Sequence, residues 1–237
     1  VKFIEQAQQT IQEIAAAASQ INIRSREPAD IVDEMRADLE LQGEPATINW
    51  PWNDINDRCQ AMKQTDIAVY GARSGHGKTM FAINHARHLL VNGKKVLFFS
   101  LEMTPEEIYN RLACLEGHSM GLTIDYSDFL GRGGIKQRKN KIKALESISG
   151  YVSDFVIPEK TNINLNIIEA NIRSHNPDVV FIDYLQLLRG DSRWRTSSRQ
   201  QRLADISRRI KALAMKYRVP FILLSQLNKE GHVRESE

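Results

Sequence analysis

Along the chain, short runs of consecutive apolar residues alternate with longer segments in which apolar residues recur every three or four positions. The runs are Ile67 to Tyr70, Lys95 to Ser100 with its Val-Leu-Phe-Phe centre, Val179 to Ile182, and Val219 to Ser225. Runs of this length, bounded by turn residues, predict strands buried on both faces. The intervening segments predict helices. Met80 to Val91 carries Phe81, Ala82, His85, Ala86, Leu89 and Leu90 on or near one face and stops at Asn92-Gly93, a C-cap signal. Thr104 followed by Glu107 is the signature of a capping box, so another helix starts there. The pattern stays helical between Leu112 and Ser153, Tyr151 to Pro158 predicts a short strand, and Ile163 to Ser174 a helix. A long helix follows from about Leu203 through Ile206, Ile210, Leu213 and Ala214 to Tyr217. Strands alternating with helices predict an α/β fold with a mostly parallel central sheet and right-handed crossovers.

Upstream of that core the pattern changes. Phe3, Ile4, Ala7, Ile11, Ile14 and Ala18 lie close to helical spacing, and a second, acidic amphipathic stretch runs from Asp30 through Ile31, Met35 and Leu39 to Leu41. Its apolar face needs a groove, either on its own domain or on another subunit. A turn-rich segment around Gly43, Pro45 and Pro51 separates it from the core, giving a helical region over residues 1–45 and a core over 46–237. Trp50 and Trp52 flank Pro51; such a pair either anchors a loop on the core or stacks on a base.

Candidate chemistry gathers where strands end. Ile67-Ala-Val-Tyr empties into Gly-Ala-Arg-Ser-Gly-His-Gly-Lys-Thr79, a glycine-rich loop between a strand and a helix. Here Ala72, Arg73, Ser74, Gly75, His76, Gly77, Lys78 and Thr79 form a phosphate cradle: backbone N–H groups turn inward and the following helix points its positive end at the same place. Lys78 would reach the outer phosphates and the Thr79 hydroxyl would hold Mg2+. Ala72 stands where the strict G-x-x-x-x-G-K-[ST] spelling has glycine, a small residue that keeps the turn. His76 fills a variable loop position and is credited with no chemistry.

Glu102 follows the second strand, where a carboxylate directs a water at a γ-phosphate or is simply solvated. Asp183 ends the third long strand, placed for the Mg2+ water shell. Gln226, beyond the last strand, is a neutral amide suited to sensing the γ-phosphate. Arg189 to Arg202 interleaves arginines, among them Arg193, Arg195 and Arg199, with Trp194, a composition that tracks single-stranded nucleic acid or else a solvated loop. The basic segment with Arg132, Lys136, Arg138, Lys139, Lys141 and Lys143 spreads around a helix, as a solvated face does.

Composition narrows the class without changing it. With 42% hydrophobic and 26% charged residues over 237 positions, the chain suits one substantial core with an appendage, and a net charge of +3 is too mild to argue for nucleic acid by itself. Cys59 and Cys114 fit neither a disulfide framework nor a metal site and are expected as buried free thiols. Glu5, Gln8 and Gln9 interrupt any secretory pattern and no apolar run approaches a membrane span, so a cytoplasmic protein without membrane contact is expected.

Taken together, Ala72-Arg-Ser-Gly-His-Gly-Lys-Thr79, Phe98-Phe-Ser-Leu-Glu-Met103, Ile182-Asp-Tyr-Leu-Gln-Leu187 and Leu224-Ser-Gln-Leu-Asn-Lys229 resemble, in order and spacing, the successive motifs of the DnaB-type replicative DNA helicases of bacteria and their phages. The resemblance implies a RecA-like P-loop ATPase core in a homo-hexameric ring that uses ATP and Mg2+ to move 5′ to 3′ on single-stranded DNA, with a primase and a helicase loader as partners. It implies that Lys78 and Thr79 bind phosphates and Mg2+, that Glu102 is the catalytic base, that Asp183 is the metal-side acid and that Gln226 couples nucleotide state to DNA loops. The stretch from Asp30 to Leu41 is similar to the family's linker helix, which docks on a neighbouring subunit. Residues 189–202 match one channel-facing loop. Val233 to Glu237 resembles the start of a second, with Arg234 and Glu235 near the DNA backbone and Glu237 where the family has glycine. A collar domain before Val1 and an arginine finger after residue 237 are also implied, so the core is expected to be truncated at its C-terminus. A RecA-like recombination or regulatory ATPase that binds DNA without unwinding is the alternative reading, and a non-catalytic assembly or loader-interaction fragment a third.

Overall fold

The computed structural model describes residues 27–40, 47–131, 134–159, 163–183 and 199–227. The chain divides into two compact units, Val1–Pro45 and Ala46–Glu237. In the first, α1 spans Pro28–Glu40. Proline suits the first helical position because its missing N–H would have had no partner there, and Asp30 in the first turn complements the positive helix end. Ile31 and Val32 are exposed, and Asp33 and Arg36 form a solvated ion pair at 3.8 Å. The helix expected over residues 1 to 20 lies outside the described residues.

The second unit is built on five parallel strands: β1 Ile67–Ala72, β2 Val96–Ser100, β3 Phe155–Val156, β4 Val179–Asp183 and β5 Phe221–Gln226, in the spatial order β1-β5-β4-β2-β3. Helices α2 Asn53–Asn56, α3 Lys78–Val91, α4 Pro105–Ser119, α5 Tyr126–Phe129, α6 Ile135–Ile148, α7 Leu165–His175 and α8 Arg199–Tyr217 complete it. Side chains alternate across the strands into two cores. Val96, Phe98, Val179, Phe181, Ile222 and Leu224 pack with apolar residues of α3, α4 and α6. Leu97, Phe99, Val180, Ile182, Phe221 and Leu223 pack with α7 and α8. Burial on both faces is why these strands read as continuous apolar runs. Each fully buried phenylalanine, such as Phe98 or Phe181, contributes about 1.5–3 kcal/mol of transfer free energy.

The predicted capping box is present: Thr104 N–H donates to Glu107 Oε2 at 2.8 Å and Glu107 N–H to Thr104 Oγ1 at 3.3 Å. The helical region after Leu112 divides into α4, α5 and α6, and the short strand expected from Tyr151 narrows to Phe155–Val156 behind a 3-10 turn at Val152–Asp154. Lys136, Arg138, Lys139 and Lys143 are solvated, as expected, whereas Lys141 is half-buried and donates to the Asp128 carbonyl at 2.5 Å. The tryptophans anchor. Trp50 Nε1 donates to the Gln60 carbonyl at 3.1 Å, and Trp52 stacks on Phe81 with centroids 3.9 Å apart. Only one cysteine meets its expectation: Cys114 is buried, which pushes its thiol up to about 11, but Cys59 is exposed, on the turn after α2 rather than on a core-facing element. Among the described residues, no helix is long and apolar enough to cross a membrane.

Candidate active site

Because all five strands run parallel, their carboxyl ends share one edge of the sheet, and the order β1-β5-β4-β2 lines up there, in turn, the glycine-rich loop, Gln226, Asp183 and the turn bearing Glu102. In an open parallel sheet this edge is where ligands bind. Ala72 closes β1 opposite Gln226, and its carbonyl accepts from the Leu227 N–H at 3.0 Å, so the departure from glycine at Ala72 falls inside the ladder and not in the turn. Gly75 and Gly77 both adopt φ of +77°, a left-handed conformation costly to any residue with a Cβ. Nothing lies within 4 Å of where a Cβ would sit at either position, so conformation and not crowding demands glycine. Gly77 caps α3 without a side-chain partner for the first-turn N–H groups, and those donors face the loop. His76 bends the loop: its N–H donates to the Arg73 carbonyl at 3.3 Å, and its ring Nδ1 lies 3.0 Å from the Ser74 carbonyl.

The loop also brings the first turn of α3 to the end of β4. Thr79 Oγ1 donates to Asp183 Oδ2 at 2.6 Å, joining residues 104 positions apart, and Lys78 Nζ lies 3.5 Å from Asp183 Oδ1. Asp183 is 0% exposed and the Lys78 side chain 10%, so this is a buried pair. Its geometry is incomplete, because Oδ1 accepts no hydrogen bond. A buried carboxylate oxygen that accepts no hydrogen bond costs free energy even beside the Lys78 ammonium, and a water of a hydrated divalent cation would satisfy it. A hydroxyl beside one carboxylate is also the donor set on which Mg2+ is commonly held together with phosphates and water. The residues present therefore fit Mg2+ with a bound polyphosphate.

Glu102 is exposed on the turn that follows β2. β2 and β4 run in register from Val96↔Val179 to Ser100↔Asp183, and the Leu101 N–H donates to the Asp183 carbonyl at 2.6 Å, tying the turn to the metal-side strand. Gln226 is half-buried at the tip of β5, between the loop strand and the Asp183 strand. Thus Lys78, Thr79 and Asp183 are in contact, and Glu102 and Gln226 occupy the same edge. Arg193, Arg195, Arg234, Glu235 and Glu237 lie outside the described residues, and of Arg199, which opens α8, only the backbone is described.

Contacts behind the loop were not predicted. His85 is fully buried, with Nδ1 2.6 Å from the Tyr70 hydroxyl and Nε2 3.1 Å from the Asn49 carbonyl. Burial pushes its imidazole down to about 4 and raises the Tyr70 phenol. The ring is therefore neutral, with Nε2 donating and Nδ1 accepting, and it fastens β1 and α3, the two limbs of the loop, to the segment before them. The only sequence signal was a histidine on the apolar face of a helix.

The DnaB-like helicase C-terminal domain model matches residues 48–237. The chain is 30% identical over 199 residues to the replicative DNA helicase DnaB of Rickettsia bellii, covering 78% of this chain and 38% of that protein. It is 29% identical to the DnaB of Geobacillus stearothermophilus, covering 82% and 42%, and 31% identical to a probable plasmid replicative DNA helicase of Chlamydia psittaci, covering 92% and 44%. The chain thus spans less than half the length of these curated relatives. Among solved structures, a DnaB-like replicative helicase described with its interactions with primase superposes with a TM-score of 0.69 at 27% identity, over 99% of this chain and 58% of that one. A second solved structure, described as an ATPase domain, has the same fold, with a TM-score of 0.69 at 24% identity over 86% and 72%. The parallel sheet and its flanking helices are those of the RecA-like helicase ATPase domains. By sequence and fold, the chain belongs to the DnaB-like helicase C-terminal domain family.

Proposed function

We propose that this chain is the ATP-hydrolysing motor of a replicative DNA helicase, with its reaction centre on the carboxyl edge of the sheet. The observation that carries the reading is the 2.6 Å Thr79–Asp183 hydrogen bond, which joins the phosphate cradle to a buried acid whose other oxygen accepts no hydrogen bond and lies 3.5 Å from Lys78 Nζ. The first-turn N–H groups of α3 and the loop backbone bind the ATP phosphates, and Lys78 swings from Asp183 to the β- and γ-phosphates. Bound Mg2+ would be held by the Thr79 hydroxyl and Asp183 and would neutralise charge on the phosphates. Glu102 accepts a hydrogen bond from the attacking water and directs it in line with the bond to the leaving phosphate. Gln226 reads the γ-phosphate from the adjoining strand tip and passes its loss to the chain beyond β5.

In the same reading the working unit is a homo-hexameric ring on single-stranded DNA that moves 5′ to 3′. Arg193, Arg195, Arg199, Arg234 and Glu235 meet the strand, and α1 docks on the neighbouring subunit through its apolar face. Primase is a partner, as it is for the DnaB-like relative, and a loader is a second. The test is ATP turnover by the full-length protein with single-stranded DNA and Mg2+. Lys78→Ala abolishes turnover if the site is assigned correctly; retained turnover overturns the assignment.

A further inference from the structure

The turn bearing Glu102 is held by a side chain. Ser100, the last residue of β2, is 2% exposed, and its hydroxyl serves both backbone groups of Met103: it donates to the Met103 carbonyl at 2.7 Å and accepts from the Met103 N–H at 3.1 Å. A plain turn would be closed by a backbone carbonyl, whereas this one is closed by a side chain, in the manner by which serine hydroxyls compete with regular structure. The residues around Glu102 are fixed as well. Leu101 is buried and bonded to the Asp183 carbonyl, and Thr104 is locked in its capping box. Glu102, between two clamped neighbours, is the exposed residue of the turn.

From this geometry we infer that Ser100 is a positioning residue for ATP hydrolysis: its hydroxyl clip on Met103 fixes the backbone that carries Glu102 relative to Asp183. The inference rests on the reading of Glu102 as the group that directs the water. A carboxylate on an exposed turn would otherwise sample many orientations, and in-line attack tolerates few; a displacement of about 1 Å can cost about a hundredfold in rate. The clip acts where the sheet is rigid, because Ser100 is paired with Asp183 in the β2–β4 register. Replacing the hydroxyl leaves both Met103 backbone groups to find other partners and relaxes the turn, while the glycine-rich loop itself follows β1, which lies three strands from β2 in the sheet.

The test compares Ser100→Ala, Glu102→Gln and the double variant in the full-length protein, measuring steady-state ATP turnover with single-stranded DNA and the affinity for a fluorescent ATP analogue. Ser100→Ala is expected to lower kcat by about 10- to 100-fold with KM and analogue affinity within about twofold of wild type, and to cause no further loss in the Glu102→Gln background. Ser100→Thr and Ser100→Val, which differ only in the hydroxyl, control for packing: Thr retains turnover and Val does not, and this pair decides the matter if the alanine variant folds poorly. Glu102→Gln that abolishes turnover beside a Ser100→Ala that keeps it, or losses that multiply in the double variant, overturn the clip while leaving Glu102 in its role. Turnover retained by Glu102→Gln overturns the role of Glu102 and the inference with it.

Discussion

The Lys78–Asp183 pair sets a measurable energetic prediction. Lys78 Nζ and Asp183 Oδ1 are 3.5 Å apart, with the carboxylate fully buried. At the effective dielectric that best describes such sites, about 20, the gross attraction is roughly 5 kcal/mol, from which the desolvation of both groups must be subtracted. Removing Lys78 leaves the buried carboxylate with its Thr79 hydrogen bond but no counter-charge, a loss of about 3–5 kcal/mol. The 10% exposure of the Lys78 side chain, with the retained Thr79 hydrogen bond, argues for the low end. Lys78→Met, close in volume and uncharged, is therefore expected to cost about 3 kcal/mol in the nucleotide-free protein, or about 6–12 °C in Tm for a unit of this size. In the double variant with Asp183→Asn the carboxylate is gone, while the amide oxygen still accepts from Thr79. The second change then restores part of the loss, with a coupling of about 2 kcal/mol. Urea unfolding of the four proteins without nucleotide or Mg2+ provides the cycle. Strictly additive effects, or a Lys78→Met cost under about 0.5 kcal/mol, would refute the reasoning, since the pair would then be a proximity without energetic weight.

The surroundings of the site carry two more predictions. His85 is neutral in the fold because burial holds it at about 4, below the ordinary value of about 6.5. Its contribution is present above about pH 6.5 and is lost as pH falls toward about 4, with a ceiling of roughly 3 kcal/mol; His85→Gln should flatten that part of the stability profile, and an identical acid slope in both proteins would count against it. Changing Arg193, Arg195 and Arg199 together to Glu should remove stimulation of ATP turnover by single-stranded DNA while leaving basal turnover intact; stimulation that survives would place the DNA contact elsewhere.

Much of this fold was legible because a parallel sheet buried on both faces writes its strands as unbroken apolar runs, and because the glycine-rich loop directly follows β1 while Asp183 closes β4. The order of those strands in space was not legible. That Thr79 would reach Asp183 across β5 depends on the path of the loop and on contacts between residues 104 positions apart, which no local pattern encodes. Ser100 passed unnoticed for a related reason. It looks like an ordinary strand end, and only its two bonds to Met103 reveal a function for the hydroxyl. The helical pattern expected after Leu112 is present but divided, for the Asp125 N–H bonds Asp128 Oδ2 and a helix restarts at Tyr126. Cys59 was expected inside because free cysteines usually are, but the turn after α2 leaves it in solvent.

Whether this strand-edge site powers the separation of DNA strands is tested most directly by unwinding of a forked duplex. The full-length protein is given ATP and Mg2+ beside the Lys78→Ala variant, with assembly followed by native mass spectrometry. Closed hexamers that unwind the fork, with no unwinding by the variant, are the predicted result. Open filaments that hydrolyse ATP without separating strands, or unwinding that persists in Lys78→Ala, would contradict it.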